Sequence, residues 1–267
     1  MSSEFYRVFE DRHRGPRNLI KERLKVYLPF VKPLLIAYPS ISAIDLGCGR
    51  GEWLELMTEI GVISLGVDVD KEMLSVCANL NLNALYADAI GHISALPSHS
   101  HGVITAFHLV EHISFDQLQS LVSEAMRVLK PGGLLIMETP NPENIAVSTC
   151  NFYLDPTHQR PIPPTLLAFV AEYAGFSRVK TLRLQESKDI IKQMRIGLHD
   201  IICEVSPDYA IVAQKHASDD IIALTSDPFD IEYGLNLDSL LSRYDSWVEC
   251  IESKAQEAES KALLSAS

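Results

Sequence analysis

From residue 42 to residue 140 the chain alternates short apolar runs with windows of helical period. No other feature restricts the fold as much. SAIDLG (42–47), VISLGVD (62–68), NALYAD (83–88), GVITAFHLV (102–110) and LLIMETP (134–140) read as short buried strands. GEWLELMTEI (51–60), KEMLSVCANL (71–80) and residues 115–129 carry helical spacing, the last ending at Pro131-Gly132-Gly133. Strands alternating with helices of this length predict βαβ units, right-handed crossovers and a parallel sheet. FSRVKTLRL (176–184) and YAIVAQK (209–215) read as two more strands. Residues 17–36, 164–175 and 186–204 read as helical. Residues 141–163 carry four prolines and no period, which predicts a long loop of the kind that usually carries function.

Composition narrows the function. The chain has 267 residues and a formal charge of −12, which excludes the positive field of a general nucleic-acid binder. No apolar run approaches the about 20 residues of a membrane span. The polar, charged start MSSEFYRVFEDRHRGPR is not a secretory signal. Five scattered cysteines without a zinc spacing point to reduced thiols. The expected location is cytoplasmic, with at most a peripheral association at the inner membrane through partners.

The most informative stretch is Asp45-Leu46-Gly47-Cys48-Gly49-Arg50-Gly51, between the first strand and the first helix after it. Glycines there permit a tight turn and close approach of a ligand to backbone N–H groups. The helix N-terminus beyond offers unpaired donors. Asp68 ends the next strand, where a carboxylate can accept both hydroxyls of a ribose.

The order D-x-G-x-G-x-G is similar to motif I of class I S-adenosylmethionine (SAM) dependent methyltransferases. The resemblance covers roughly residues 40–215 and implies a doubly wound, seven-stranded, mostly parallel Rossmann-like α/β sheet, with the last strand antiparallel beside the sixth. It implies SAM as cofactor and a binding set of Asp45, Gly47, Gly49, Gly51, Asp68, Val69, Asp88, Ala89 and His108. In that set Asp68 resembles the ribose acid and Asp88 the acid on the adenine amino group. Phe107-His108 resembles the segment beside the methionine moiety, and LKPGG (129–133) the turn into the fifth strand.

His108, Glu111 and His112 can converge on one side of the turn after the fourth strand, and His158 lies in the long loop above the same edge. Three readings stay open. Glu111 and His112 can be capping or structural groups. His112 or His158 can be a general base for an acceptor hydroxyl, with Glu111 beside them. His108, Glu111, His112 and His158 can hold a divalent ion. Their spacing resembles the E-x-x-E-H and distant His of metal-dependent small-RNA 2′-O-methyltransferases, with His108 in a glutamate's place. Glu111-His112 also resembles the pair of metal-free small-molecule methyltransferases. The base ranks first of the three, and the expected catalytic set is His112, His158 and Glu111 with no metal.

Tyr6, Phe9, Arg12, Arg14 and Arg17 form a basic–aromatic patch that reads as a lid, with Arg14 and Tyr6 reaching the cofactor. Arg160 is a second candidate for an anion, and Trp53 reads as packing. FYRVFEDRHRGPRNLIKERLKVYLPF, DLGCGRGEWLE and LDPTHQRPIPP resemble methyltransferase modules of bacterial O-antigen and surface-polysaccharide clusters. That likeness implies a sugar or glycan acceptor and fusion to other parts. A catalytically silent scaffold and a metal-assisted RNA 2′-O-methyltransferase are the alternatives.

Leu237, Leu241, Tyr244, Val248, Ile251, Ala255, Ala258 and Ala262 step by 4 and 3 in strict alternation, a heptad seam. It predicts a C-terminal helix, either packed on the domain or forming a coiled coil that joins copies or a longer chain. The expected divisions are 1–40 lid and helix, 41–218 SAM-binding core, 219–236 linker and 237–267 helical segment.

Overall fold

The computed structural model describes residues 15–193 and 195–266. Tyr6, Phe9, Arg12 and Arg14 lie outside the described residues. Seven strands form one sheet: β1 (Ser42–Leu46), β2 (Ile63–Asp68), β3 (Ala84–Tyr86), β4 (His101–Phe107), β5 (Leu129–Pro140), β6 (Arg178–Leu184) and β7 (Asp208–Gln214). Their order is β3-β2-β1-β4-β5-β7-β6. All pairs are parallel except those of β7, which lies antiparallel between β5 and β6. The expected fold and strand insertion are therefore observed.

The apolar runs are continuous because both faces of the sheet are covered. Val103, Leu134 and Ile136 pack with Tyr27, Phe30, Trp53 and Met57 on one face. Ile104, Leu135 and Met137 pack with Leu118, Leu121, Val122 and Leu167 on the other. The first face is covered by α1 (Arg17–Leu24), α2 (Leu28–Val31), α3 (Leu34–Ala37) and α4 (Glu52–Glu59). After α5 (Lys71–Asn79), the second face is covered by α6 (Ala89–Ala95), α7 (Phe115–Val128) and, beyond the short α8 (Ile145–Thr149), α9 (Pro164–Tyr173).

Several boundaries differ from expectation. Residues 17–36 are not one helix: Lys25–Tyr27 tightens into a 3₁₀ turn, and Pro29 and Pro33, lacking N–H groups, divide the remainder. Strand β3 is short, and Asp88 starts α6, its Oδ2 accepting from Gly91 N at 2.7 Å. The Pro131-Gly132-Gly133 turn lies inside β5 as an irregularity opposite His101 and Val103. The 141–163 loop holds α8 and a 3₁₀ turn at Asn151–Leu154.

Residues 186–204 form two short helices, α10 (Lys188–Lys192) and α11 (Leu198–Cys203). Residues 219–236 are not a bare linker. They carry α12 (Asp219–Leu224) and α13 (Ser226–Asp230), whose Phe229 is buried edge-on to Phe30. Ahead of residue 40, Leu24, Tyr27, Phe30, Val31 and Leu34 share the sheet's core.

The last helix, α14 (Leu237–Ala266), is rooted through Leu240, buried with Ile190, Ile196, Ile201 and Val205. Every residue from 249 to 265 is exposed. No helix among the described residues is long and apolar enough to cross a membrane.

Candidate active site

The chain runs from β1 outward to β3 and then crosses to β4 on the other side of β1. That reversal opens a crevice at the carboxyl ends of β1 and β4, where doubly wound sheets bind ligands. The glycine turn fills its floor. Gly47, Gly49 and Gly51 have φ of 72°, 51° and 78°, a region that favours glycine. The N–H groups of Gly47 and Cys48 both donate to Val67 O, at 2.9 and 3.0 Å, tying the turn to β2. Asp68 then receives Gly49 N at one carboxylate oxygen and Asp70 N at the other, each at 2.8 Å. Each oxygen keeps lone-pair capacity for a hydroxyl. Asp45 is buried and accepts from Thr105 Oγ1 at 2.6 Å.

Two cavities meet at this edge. One, of about 770 Å³, is lined by Gly49, Asp68, Val69, Asp88 and Ala89. The other, of about 500 Å³, is lined by Asp45, Trp53, Glu138, His158 and Asp208. Gly47, Phe107, His108 and His112 belong to both. Of the residues expected from the sequence, Gly49, Asp68, Val69, Asp88 and Ala89 thus line the first chamber alone, Asp45 and His158 the second alone, and Gly47, His108 and His112 both. Gly51 lines neither; it shapes the turn.

The residues fit SAM. The buried indole Nε1 of Trp53 has no hydrogen-bond partner among the described residues, although its ring packs on Tyr27 and Phe107. An interior donor of this kind costs about 1–3 kcal/mol unless a ligand accepts from it.

The titratable groups fall into two clusters. In the first, one ring nitrogen each of His112 and His158 and an oxygen of Glu111 lie within 4.8 Å of one another. In the second, His108 joins Glu138 and Asp208. Of the four residues considered for a metal, Glu111, His112 and His158 form one cluster, and His108 belongs to the other while touching Glu111.

His108 sits at φ 52°, its Nδ1 3.2 Å from Glu111 Oε1 and its Nε2 3.5 Å from Glu138 Oε1. Burial alone would lower its pKa, but the bonds to Glu111 and Glu138 hold it well above the usual imidazole value. Burial pushes the Glu111 carboxyl up, yet the His108 bond, the charges of His108 and His112 and a backbone hydrogen bond together outweigh it and leave it lowered. Glu111 also accepts from Thr139 Oγ1 at 2.9 Å and lines neither cavity. It is enclosed between His108 and Thr139 and helps to hold His108 in place.

Hydrogen bonds orient the rings of His112 and His158. The Thr157 hydroxyl gives its only proton to Asp155 Oδ1 at 2.6 Å, so toward His112 Nδ1 at 2.9 Å it accepts. That leaves the lone pair on His112 Nε2. Burial, with His158 nearby, lowers the His112 pKa. His158 Nδ1 donates to Phe152 O at 2.6 Å, a pure acceptor, which leaves Nε2 as the ring nitrogen on the open side. The two rings meet edge-on at 4.7 Å.

Sequence reasoning missed Glu138, Asp208 and Gln185. Glu138 accepts from the buried Tyr27 hydroxyl and from Gln185 Nε2 at 3.1 Å. Burial, reinforced by Glu138 and Glu111 and opposed by His108 and Arg23, raises the Asp208 pKa to about 6. A signal existed: Glu138 is a lone charge in an apolar run, and an antiparallel β7 must begin at the edge where the parallel strands end. Arg160 stacks on Phe115 at 4.7 Å and lines neither cavity, so it is not the anion site expected.

A family model described as "Methyltransferase domain" matches residues 44–137. A probable S-adenosylmethionine-dependent methyltransferase of Mycolicibacterium smegmatis is 31% identical over 144 residues, 52% of this chain and 53% of that protein. A ubiquinone biosynthesis O-methyltransferase of Bartonella tribocorum is 27% identical over 133 residues, 48% of this chain and 53% of that protein. The chain thus spans about half the length of these two curated relatives. A solved SAM dependent methyltransferase from Archaeoglobus fulgidus superposes with a TM-score of 0.70 at 34% identity, over 79% of this chain and 100% of that one. With the glycine turn, the paired cavities and this likeness in agreement, the chain belongs to the SAM-dependent methyltransferases.

Proposed function

We propose that this protein methylates a hydroxyl oxygen of a hydroxyl-rich acceptor, a sugar or glycan of the kind found in bacterial surface polysaccharides, with His112 as general base. The observation that carries this is the fixed Nε2 lone pair of His112 on the wall common to both cavities. SAM supplies the methyl group. Asp68 and the glycine turn orient the nucleoside, and Trp53 offers a donor to the methionine end. The acceptor oxygen forms its bond to carbon as the carbon–sulfur bond breaks, and the hydroxyl proton passes to His112. Holding the two reactants in line accounts for several kcal/mol of the barrier. Glu138, Gln185, Asn151 and Asp208 line the second cavity and suit an acceptor with several hydroxyls. The curated relatives named for ubiquinone biosynthesis are O-methyltransferases by name, which supports an oxygen acceptor.

A second reading has its own observation: the Glu111, His112 and His158 cluster offers N and O donors to a divalent ion. One assay separates the readings. Transfer of labelled methyl from SAM to methyl glycosides, oligosaccharides and a catechol is measured with and without chelator. The proposal expects transfer to sugars that chelator leaves intact and His112→Ala abolishes, with SAM binding retained. Loss in chelator favours the metal. No transfer to any hydroxyl acceptor, with SAM bound, favours the silent scaffold.

A further inference from the structure

The heptad seam of α14 outlasts its own domain. Leu240 and the partly buried Leu237 and Tyr244 dock the first turns on α10 and α11, and Arg243 Nη2 ties them by donating to Ile190 O at 3.0 Å. Beyond residue 248 the helix leaves the described core: every residue from 249 to 265 is exposed, including Ile251 at 44%. The helix is 30 residues long, about 45 Å, and its outer half presents Val248, Ile251, Ala255, Ala258 and Ala262 along one line.

The charges beside the seam are sorted. With Leu241, Val248, Ala255 and Ala262 at the first core position and Tyr244, Ile251 and Ala258 at the second, one flank reads Trp247, Lys254 and Lys261. The other flank reads Asp245, Glu252 and Glu259. In a parallel pair each flank meets the opposite flank of its partner, so Lys254 of one helix faces Glu259 of the other, twice by symmetry. In an antiparallel pair like flanks meet, lysine against lysine and acid against acid, whatever the axial offset. The small alanines permit close approach of two identical helices. Ile191, Leu198 and Ile202 stand 54%, 65% and 42% exposed on α10 and α11, at the helix root, and add apolar surface where two domains would sit side by side.

We infer that α14 pairs with α14 of a second copy of this chain as a parallel two-stranded coiled coil. The dimer places both methyltransferase domains at the same end of the helical stem. This rests on the seam and its charges and is independent of the acceptor's identity.

Analytical ultracentrifugation of the purified chain over the micromolar range tests it, with SAM binding as the check that each variant's domain is folded. A dimer is expected, and Ile251→Asp yields a monomer that still binds SAM. Lys254→Glu weakens the dimer about fivefold by converting two attractive pairs into repulsive ones. Adding Glu259→Lys to that variant restores the affinity. Oxidation of Ala255→Cys, in a background with Cys150 and Cys250 replaced by serine, crosslinks the two chains at the same position. A monomer at every concentration, leaving the seam to a different protein, overturns the inference. So does a dimer that Lys254→Glu strengthens, which would be antiparallel, or one that Ile251→Asp leaves intact.

Discussion

Thr157 couples Asp155 to His112: its hydroxyl donates to one at 2.6 Å and accepts from the other at 2.9 Å. A single proton thereby decides which nitrogen of His112 carries a lone pair. Thr157→Val keeps the shape and removes that choice. Methyl transfer is expected to fall about 10–100-fold in kcat with SAM affinity unchanged, and Thr157→Ser to recover most of it. Steady-state kinetics and calorimetry together check this.

The pH profile depends on the same residue. A base works only when unprotonated, and burial holds His112 below the ordinary imidazole value of 6.5. The rate is therefore expected to be level at neutral pH and to fall only when pH drops through that lowered value. A profile whose acid limb lies above 6.5 would remove His112 as the base.

Asp68 is held by two backbone N–H groups and faces the larger cavity. Asp68→Ala frees Gly49 N and removes both acceptors for a ribose. The expected loss is about 3 kcal/mol, roughly 100-fold in SAM affinity, read by calorimetry.

Gly51 and Gly61 separate backbone strain from crowding. Both have positive φ, at 78° and 79°. A Cβ on Gly51 would stand 2.8 Å from Leu82 Cδ1 and 2.9 Å from Cys77 Sγ, whereas one on Gly61 meets nothing within 4 Å. Gly61→Ala is expected to cost about 1 kcal/mol and Gly51→Ala about 2–3 kcal/mol, measured by urea unfolding.

Asp208 is a stability switch with a definite sign. Its folded pKa is about 6 against an ordinary 3.8, so between those values the folded chain holds a proton that the unfolded chain has released. Stability contributed by this group is present below pH 3.8 and is lost as pH rises toward 6. Asp208→Asn is expected to raise the melting temperature at pH 7.5 by roughly 2–4 °C, for a gain of about 1 kcal/mol, and to make little difference near pH 4. An unchanged melting temperature at both pH values would mean that the carboxylate is fully compensated by His108 and Arg23.

The sheet, and the placing of Gly49, Asp68 and Asp88 at one edge of it, were legible because both are written locally. An apolar run bounded by glycine marks a strand buried on both faces, and the residues that end such strands mark the ligand edge. Asp45, Gly47, Gly49, Asp68 and Asp88 each follow from position on one strand or turn. Glu138 and Asp208 do not. They approach His108 only because Phe107 pairs with Glu138 and Pro140 with Asp208, registers fixed by packing between residues 31 and 68 positions apart. The enclosure of Glu111 by His108 and Thr139 has the same origin, since Thr139 comes from β5.

Arg17 ties the first helix to the glycine turn. Its guanidinium donates to Arg50 O at 2.7 Å and to Gly51 O at 3.2 Å while gripping Glu55. The loop beneath the donor is thus bolted from behind to a helix outside the sheet. Force arriving along the chain ahead of residue 17 meets that bolt before it meets any strand. A bulky fusion attached there would register first as altered affinity for the nucleoside, well before the apolar layers beneath it gave way.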